Sequence, residues 1–319
     1  MPLDIKVPVE DDAKKTVLIE YKTEDKEEVK KEPPKPKQAV DKRVLQLPIT
    51  DAGEASEHLR MLVYGDSGVG KTRLLASAYE VPDMRPLLLV DFDPGTMSIS
   101  RLYPKLKVMH AEKIAHLDMV LTLIREGKLK IRTLVLDDLQ GLYVMYMRER
   151  LAFVTSNKEN RSNVTPAQDD WGYCTNQMRD MIYRAKRLPI HLICSTMATI
   201  FTDEQTSTTY RMPMLPGKMA KEVTKFWDIV GYMTTDSMGQ KITRAMQVQP
   251  IKRTAAKDRT DQLGTIVKEP TMQVIYDAAF KGVTPAQEEV QEDVPRKVSA
   301  EDAAFVEAVI ADLESTEGE

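Results

Sequence analysis

Cysteine and histidine are scarce, with two cysteines and four histidines in 319 residues. Cys174 and Cys194 both lie in apolar, core-like stretches. That suits a reducing compartment and excludes a disulfide framework or a cysteine-based metal site. His58, His110, His116 and His191 are scattered without the spacing of zinc ligands. No apolar run approaches the roughly 18 residues that a membrane span needs. Met1-Pro2-Leu3-Asp4 has neither the basic start nor the apolar stretch of a secretory signal. A cytoplasmic protein without membrane contact is therefore expected.

Apolar residues make up 42% of the chain and charged residues 29%. That supports a core domain of roughly 200 residues or more with charged tails. The net charge of −4 is unevenly spread. Residues 284–319 carry eleven acidic and two basic residues, and residues 1–45 carry eleven of each sign. Residues 46–283 are left with a net of +5, a mildly basic core that permits contact with nucleic acid. Residues 1–45 mix Lys, Glu, Asp and Pro and are expected to be disordered, with Thr16–Tyr21 read as a transient strand or, alternatively, a segment that adds to a partner's sheet edge. The acidic segment 284–319 is expected to be mostly disordered, with a short helix over 300–313.

Between the tails the pattern alternates strand and helix. Strands are expected at 59–64, 86–91, 107–110, 133–137 and 190–195, with helices over 71–80, 113–126, 139–153 and 169–187. Strands apolar on both faces and separated by helices predict an α/β fold, a mainly parallel sheet covered on both sides. Further on, a hairpin is expected over 198–214, a helix over 217–227, and paired strands at 228–235 and 241–248. Trp171 and Trp227 are read as core anchors.

One motif organises this core. Gly65-Asp66-Ser67-Gly68-Val69-Gly70-Lys71-Thr72 matches G-x-x-x-x-G-K-[ST] in full, after a buried strand and before a helix. The glycines let successive backbone N–H groups face one concavity, where phosphate oxygens are held. Lys71 adds a full charge for the β- and γ-phosphates, and the Thr72 hydroxyl is a ligand for Mg²⁺. The motif predicts a nucleoside triphosphate site, with ATP and Mg²⁺ as ligands.

Such a loop needs an acidic partner at the end of a neighbouring strand. Leu134-Val135-Leu136-Asp137-Asp138 supplies it, with Asp137 toward the metal and Asp138 as cap of the next helix. Asp91 and Asp93 end another strand two residues apart, and Asp93 is assigned to position the attacking water. Asp93-Pro94-Gly95 is also good turn chemistry in its own right. At the end of strand 190–195, Ser195 or Thr196 offers a hydroxyl to sense the γ-phosphate, and Thr196 is placed in the catalytic set.

This order of parts resembles the RecA-like ATPase core. More narrowly it resembles the phage-encoded nucleotide-binding proteins of the AAA_24 group, which include Sak-type single-strand annealing ATPases. The stretches that carry the likeness are Gly65–Thr72, Val90–Gly95, Thr133–Leu142, Asp170–Lys186 and Ala256–Gly264. The resemblance implies ATP hydrolysis in phage recombination or replication, DNA-stimulated, with the host cytoplasm as its place. In RecA-like recombinases a catalytic Glu, one methylene longer, stands where Asp93 stands here. The family's two DNA-binding loops correspond to 155–169, with Lys158 and Arg161, and to 197–217, with Tyr210 and Arg211, followed by Lys218. Cations beside an aromatic suit single-stranded DNA. Lys257 and Arg259 match the spacing of a Lys-x-Arg pair that reaches a neighbouring subunit's ATP. The implied assembly is a homo-oligomeric ring or filament, with a single-strand-binding protein as a further partner. A hexameric helicase-like motor and a P-loop small-molecule kinase are the alternative readings.

Overall fold

The structure is a computed structural model. It describes residues 57–285, apart from 158–160, 204–206, 218, 239–240 and 252. The expectations for residues 1–45 and 286–319, and those for Lys158 and Lys218, lie outside the described residues.

The elements follow in the order β1 (Arg60–Gly65), α1 (Lys71–Ala76), β2 (Leu87–Asp91), α2 (Met97–Ser100), β3 (Lys107–His110) and α3 (Ile114–Arg125). Next come β4 (Thr133–Asp137), α4 (Leu139–Asn157), α5 (Gln168–Lys186), β5 (His191–Asp203), β6 (Thr208–Pro213) and α6 (Met219–Glu222). The last are β7 (Ile229–Met238), β8 (Lys241–Gln247), β9 (Lys257–Asp258), β10 (Ile266–Lys268) and α7 (Met272–Lys281). One sheet runs in the order β10-β8-β7-β1-β5-β4-β2-β3. From β7 to β3 every neighbouring pair is parallel, whereas β8 and β10 add antiparallel strands at one edge.

The sheet is parallel because its strands bury both faces. On β1, Leu62 and Tyr64 enter a core with α3, α4 and α5. Met61 and Val63 enter a second core with α1 and α7 on the other face. Alternation with period two sends successive apolar residues to opposite sides, so a continuous apolar strand needs two helical layers. This is the mainly parallel α/β core expected from the sequence. It puts the C-terminal ends of β1, β5 and β4 side by side, at the edge where ligands of such sheets bind.

Several expectations need correction. The strand expected at 190–195 and the first arm of the hairpin expected over 198–214 are one continuous strand, β5, whose residues 198–203 pair with β6. The helix expected over 71–80 is α1 followed by a 3-10 turn over Ser77–Glu80. Trp227 is fully buried, but Trp171 is 43% exposed, stacked on Tyr143 at the rim of a groove along α4. The amphipathic period of α5 does not separate a core position from a groove wall.

His191 opens β5 under α7 and is buried. Its Nδ1 accepts the Leu59 N–H at 3.0 Å, and the rings of Tyr276 and Phe280 lie against it. Burial, then the charges of His58 and Arg60, pushes its pKa from 6.5 down to about 4. The unfolded chain therefore takes up this proton below pH 6.5, while the folded chain resists it until about pH 4. The linked stability is complete above pH 6.5 and is lost as pH falls toward 4, by up to about 3 kcal/mol. Urea unfolding at pH 7 and pH 4.5 is expected to show this loss. His191→Gln keeps an acceptor for Leu59 but cannot titrate, and is expected to lose less between the two pH values. An equal loss in both proteins would remove His191 from the account.

Candidate active site

The loop after β1 is shaped by two glycines that cannot carry a side chain. A Cβ on Gly65 would lie 2.5 Å from the Met233 carbonyl oxygen on β7. Gly70, at φ 102°, holds the left-handed turn into α1, and a Cβ there would lie 2.7 Å from Nε of Arg244. Between them, Asp66, Ser67, Gly68 and Val69 form the bend, with the Val69 side chain buried in the core of α1.

Lys71 folds back over this loop. Its ammonium donates to the carbonyls of Gly65 and Asp66, each at 2.9 Å, and lies 3.4 Å from the Met197 sulfur. Burial lowers its pKa, opposed by the carboxylates of Asp138, Asp137 and Asp66.

Asp137 ends β4 and is buried. The Thr72 hydroxyl donates to its Oδ2 at 2.7 Å, and the Ser195 hydroxyl donates to its Oδ1. Three elements thus converge on one carboxylate: the start of α1, the end of β4 and the middle of β5. This corrects the assignment of Thr196. The Thr196 hydroxyl is buried and donates to the Met214 carbonyl at 3.3 Å. Alternation along β5 turns Ser195 and Met197 toward the loop and Thr196 to the other face.

Asp138 caps α4 by accepting the Gly141 N–H at 2.7 Å. Burial raises its pKa, the Gly141 bond lowers it, and the charges of Asp137 and Asp93 raise it further. Asp93 is exposed and within electrostatic range of this group. The extended chain ends at Asp91. There the Asp91 carboxylate turns in to accept the N–H groups of Asp93 and Gly95 at 3.2 and 3.4 Å, and His110 Nδ1 sits 3.2 Å away. Burial leads in raising the pKa of Asp91.

Among the described residues no group of three or more His, Cys, Asp or Glu is placed to hold a metal ion. An Mg²⁺ ion bound with phosphates needs only one or two protein oxygens. The Thr72 hydroxyl and the Asp137 carboxylate, in contact on adjacent elements, fit that requirement.

Lys257 and Arg259 are not brought to this loop. β9 pairs with the first residues of β7, and Arg259 Nη1 bonds Asp228 Oδ1 at 2.9 Å. The Asp228 N–H in turn donates to the carbonyl of Arg60, the first residue of β1. The loop lies at the other end of β1, about 16 Å away at the usual rise of a strand. Lys257 Nζ donates to the Thr224 carbonyl at 2.8 Å. Arg161 is tied to the fully buried Asp170 and to Asp169. Tyr210 and Arg211 lie on the β5–β6 hairpin, with Arg211 5.9 Å from the Tyr232 ring centroid. Exposed Ile200 and Phe201 share that hairpin, and the Lys221 ammonium sits 4.4 Å from the Phe201 ring centroid. Phe201 and Arg244 are absent from the residues chosen by sequence, since both acquire their neighbours through tertiary pairing.

A mainly parallel α/β core with a complete phosphate-binding loop and an acidic strand end defines a P-loop nucleotide-binding domain. The family model described as "AAA domain" matches residues 57–260, and the chain belongs to that family. Among solved structures, flagellar accessory protein FlaH from Methanocaldococcus jannaschii is 11% identical, covering 66% of this chain and 86% of its own, with a TM-score of 0.35. KaiC-like protein PH0186 from Pyrococcus horikoshii OT3 is 14% identical, covering 59% of this chain and 76% of its own, with a TM-score of 0.33. No curated protein matches the chain. No helix among the described residues is long and apolar enough to cross a membrane.

Proposed function

We propose that residues 46–283 form an ATPase that binds and hydrolyses Mg-ATP as an assembly of several copies and acts on single-stranded DNA. The observation that carries the ATP reading is the Asp137 carboxylate, held between the hydroxyls of Thr72 and Ser195. Thr72 and Asp137 would hold the Mg²⁺, which neutralises charge on the phosphates when bound. Lys71 exchanges its two loop carbonyls for phosphate oxygens. Asp93 orients a water and takes its proton as the water oxygen bonds to the γ-phosphorus. The bond from that phosphorus to the bridging oxygen breaks, leaving ADP and phosphate. Ser195 keeps Asp137 turned toward Thr72 throughout.

The DNA reading is supported by the β5–β6 hairpin, where Phe201 and Tyr210 stand exposed beside Arg211 and Lys221. Aromatic faces beside cations suit stacked bases and phosphates. Arg161 is left out of this surface, since its partners are already Asp169 and Asp170. Lys257 and Arg259, far from their own loop, are assigned to the ATP of an adjacent copy. The sequence resemblance to annealing ATPases supports reading the activity as part of phage recombination or replication.

The test is ATP turnover with and without single-stranded DNA, alongside the mass of the particle in ATP. The expected result is several-fold stimulation and a multiple of the 36.1 kDa chain mass. Turnover indifferent to DNA from a particle of one chain would overturn both the DNA and the assembly readings.

A further inference from the structure

Arg244 lies outside the motif yet reaches the loop. β8 runs beside β7, and β7 beside β1, with Gly65 opposite Met233 and Arg244 opposite Thr235. Arg244 therefore stands beyond the end of β1, above the same sheet edge as the loop. Its side chain crosses to Gly70: a Cβ built there would lie 2.7 Å from Nε, 3.1 Å from Cδ and 3.8 Å from Cζ. The Nε donor is buried and has no hydrogen-bond partner. Among the described residues Arg244 forms no ion pair.

The backbone at Arg244 is held firmly. Its N–H donates to Glu269 Oε1 at 2.9 Å, and its carbonyl accepts the Glu269 N–H at 2.7 Å. Glu269 adopts φ 42° to make both bonds, a left-handed conformation unusual for this residue. Its carboxylate thus goes to the backbone of Arg244 rather than to its guanidinium. A fixed backbone, a buried unpartnered donor and the close approach of that side chain to Gly70 occur together beside Lys71. A buried donor without an acceptor is costly, and it gains most from an anion.

The sheet order says which part of a nucleotide this donor meets. Ser195, Met197 and Asp137, on β5 and β4, surround Lys71 and Thr72 from one flank of β1. Arg244 approaches from the opposite flank, through β7 and β8. We propose that Arg244 binds the α- and β-phosphates of the nucleotide, in its own chain, away from the γ-phosphate chemistry. It is a binding residue, and the proposal rests on the ATP reading above.

The experiment is calorimetric binding of ATP, ADP and inorganic tripolyphosphate to the full chain, Arg244→Ala and Arg244→Lys, with unfolding midpoints measured in the same buffers. Arg244→Ala is expected to weaken ATP and ADP equally, by roughly ten- to a hundred-fold. Tripolyphosphate is expected to weaken too, and Arg244→Lys to recover part of each loss. At saturating ATP the turnover number should stay near that of the wild type while KM rises. Loss of ATP but not ADP affinity would place Arg244 at the γ-phosphate and overturn the proposal. Unchanged tripolyphosphate binding with weaker ATP binding would make it a base contact, and would overturn it equally. If both variants unfold early, wild-type affinities for ATP and ADP in Arg244→Ala, measured below its unfolding midpoint, still overturn it. A wild-type chain that binds none of the three removes the ATP reading itself, and is distinguished by that.

Discussion

Lys71→Ala is expected to abolish ATP turnover and to weaken Mg-ATP binding by roughly a hundredfold or more. Its ammonium is the one full positive charge that the phosphate-binding motif itself supplies, and three carboxylates, Asp138, Asp137 and Asp66, surround it. Removing it leaves their negative charge facing the triphosphate, so the loss exceeds that of one hydrogen bond. The fold should not suffer in proportion. The bonds that Lys71 makes are to the Gly65 and Asp66 carbonyls in a surface turn, which water can satisfy. An unfolding midpoint near that of the wild type, with no detectable phosphate release, is the expected pair of results. Lost turnover together with an early midpoint would show a structural lysine instead.

Asp137→Asn is expected to separate binding from chemistry. The amide keeps the volume and one acceptor oxygen, so one of the hydroxyls of Thr72 and Ser195 retains its partner. The negative charge is lost. Turnover should fall by roughly 10- to 100-fold, the usual cost of disturbing a group that orients a metal or its water. The Mg²⁺ concentration needed for half-maximal rate should rise. ATP affinity measured without Mg²⁺ should not fall, because a repelling carboxylate has gone. The charge of Asp137 also helps to hold the pKa of Asp138 up, so that pKa should move down in the variant. Unchanged Mg²⁺ dependence would remove Asp137 from the metal.

The comparison of sequence and structure divides by the range of the interactions. Strands with apolar residues on both faces are legible because period-two burial is local, and β1, β2, β4 and the start of β5 lie where the sequence puts them. The loop Gly65–Thr72 is legible because a short motif carries its own geometry. The parity of β5 beyond residue 194 is not, since it depends on pairing with β1, β4 and then β6. Ser195 and Thr196 are equivalent in the sequence and face opposite ways in the fold. Arg161 looks like a free loop cation until Asp170, buried at the start of α5, is seen to bind it. Trp171 illustrates the reverse, an apolar residue on an amphipathic helix that walls a groove. Arg244 gave no signal at all, because a strand 174 residues after Gly70 had to be laid beside β7 to bring it there.

The most direct test of the account is phosphate release from ATP by the full chain, with Mg²⁺ and with the metal chelated, run beside Lys71→Ala. The account predicts turnover that needs Mg²⁺ and is absent from the variant. Equal release by wild type and Lys71→Ala, or release indifferent to Mg²⁺, would contradict it.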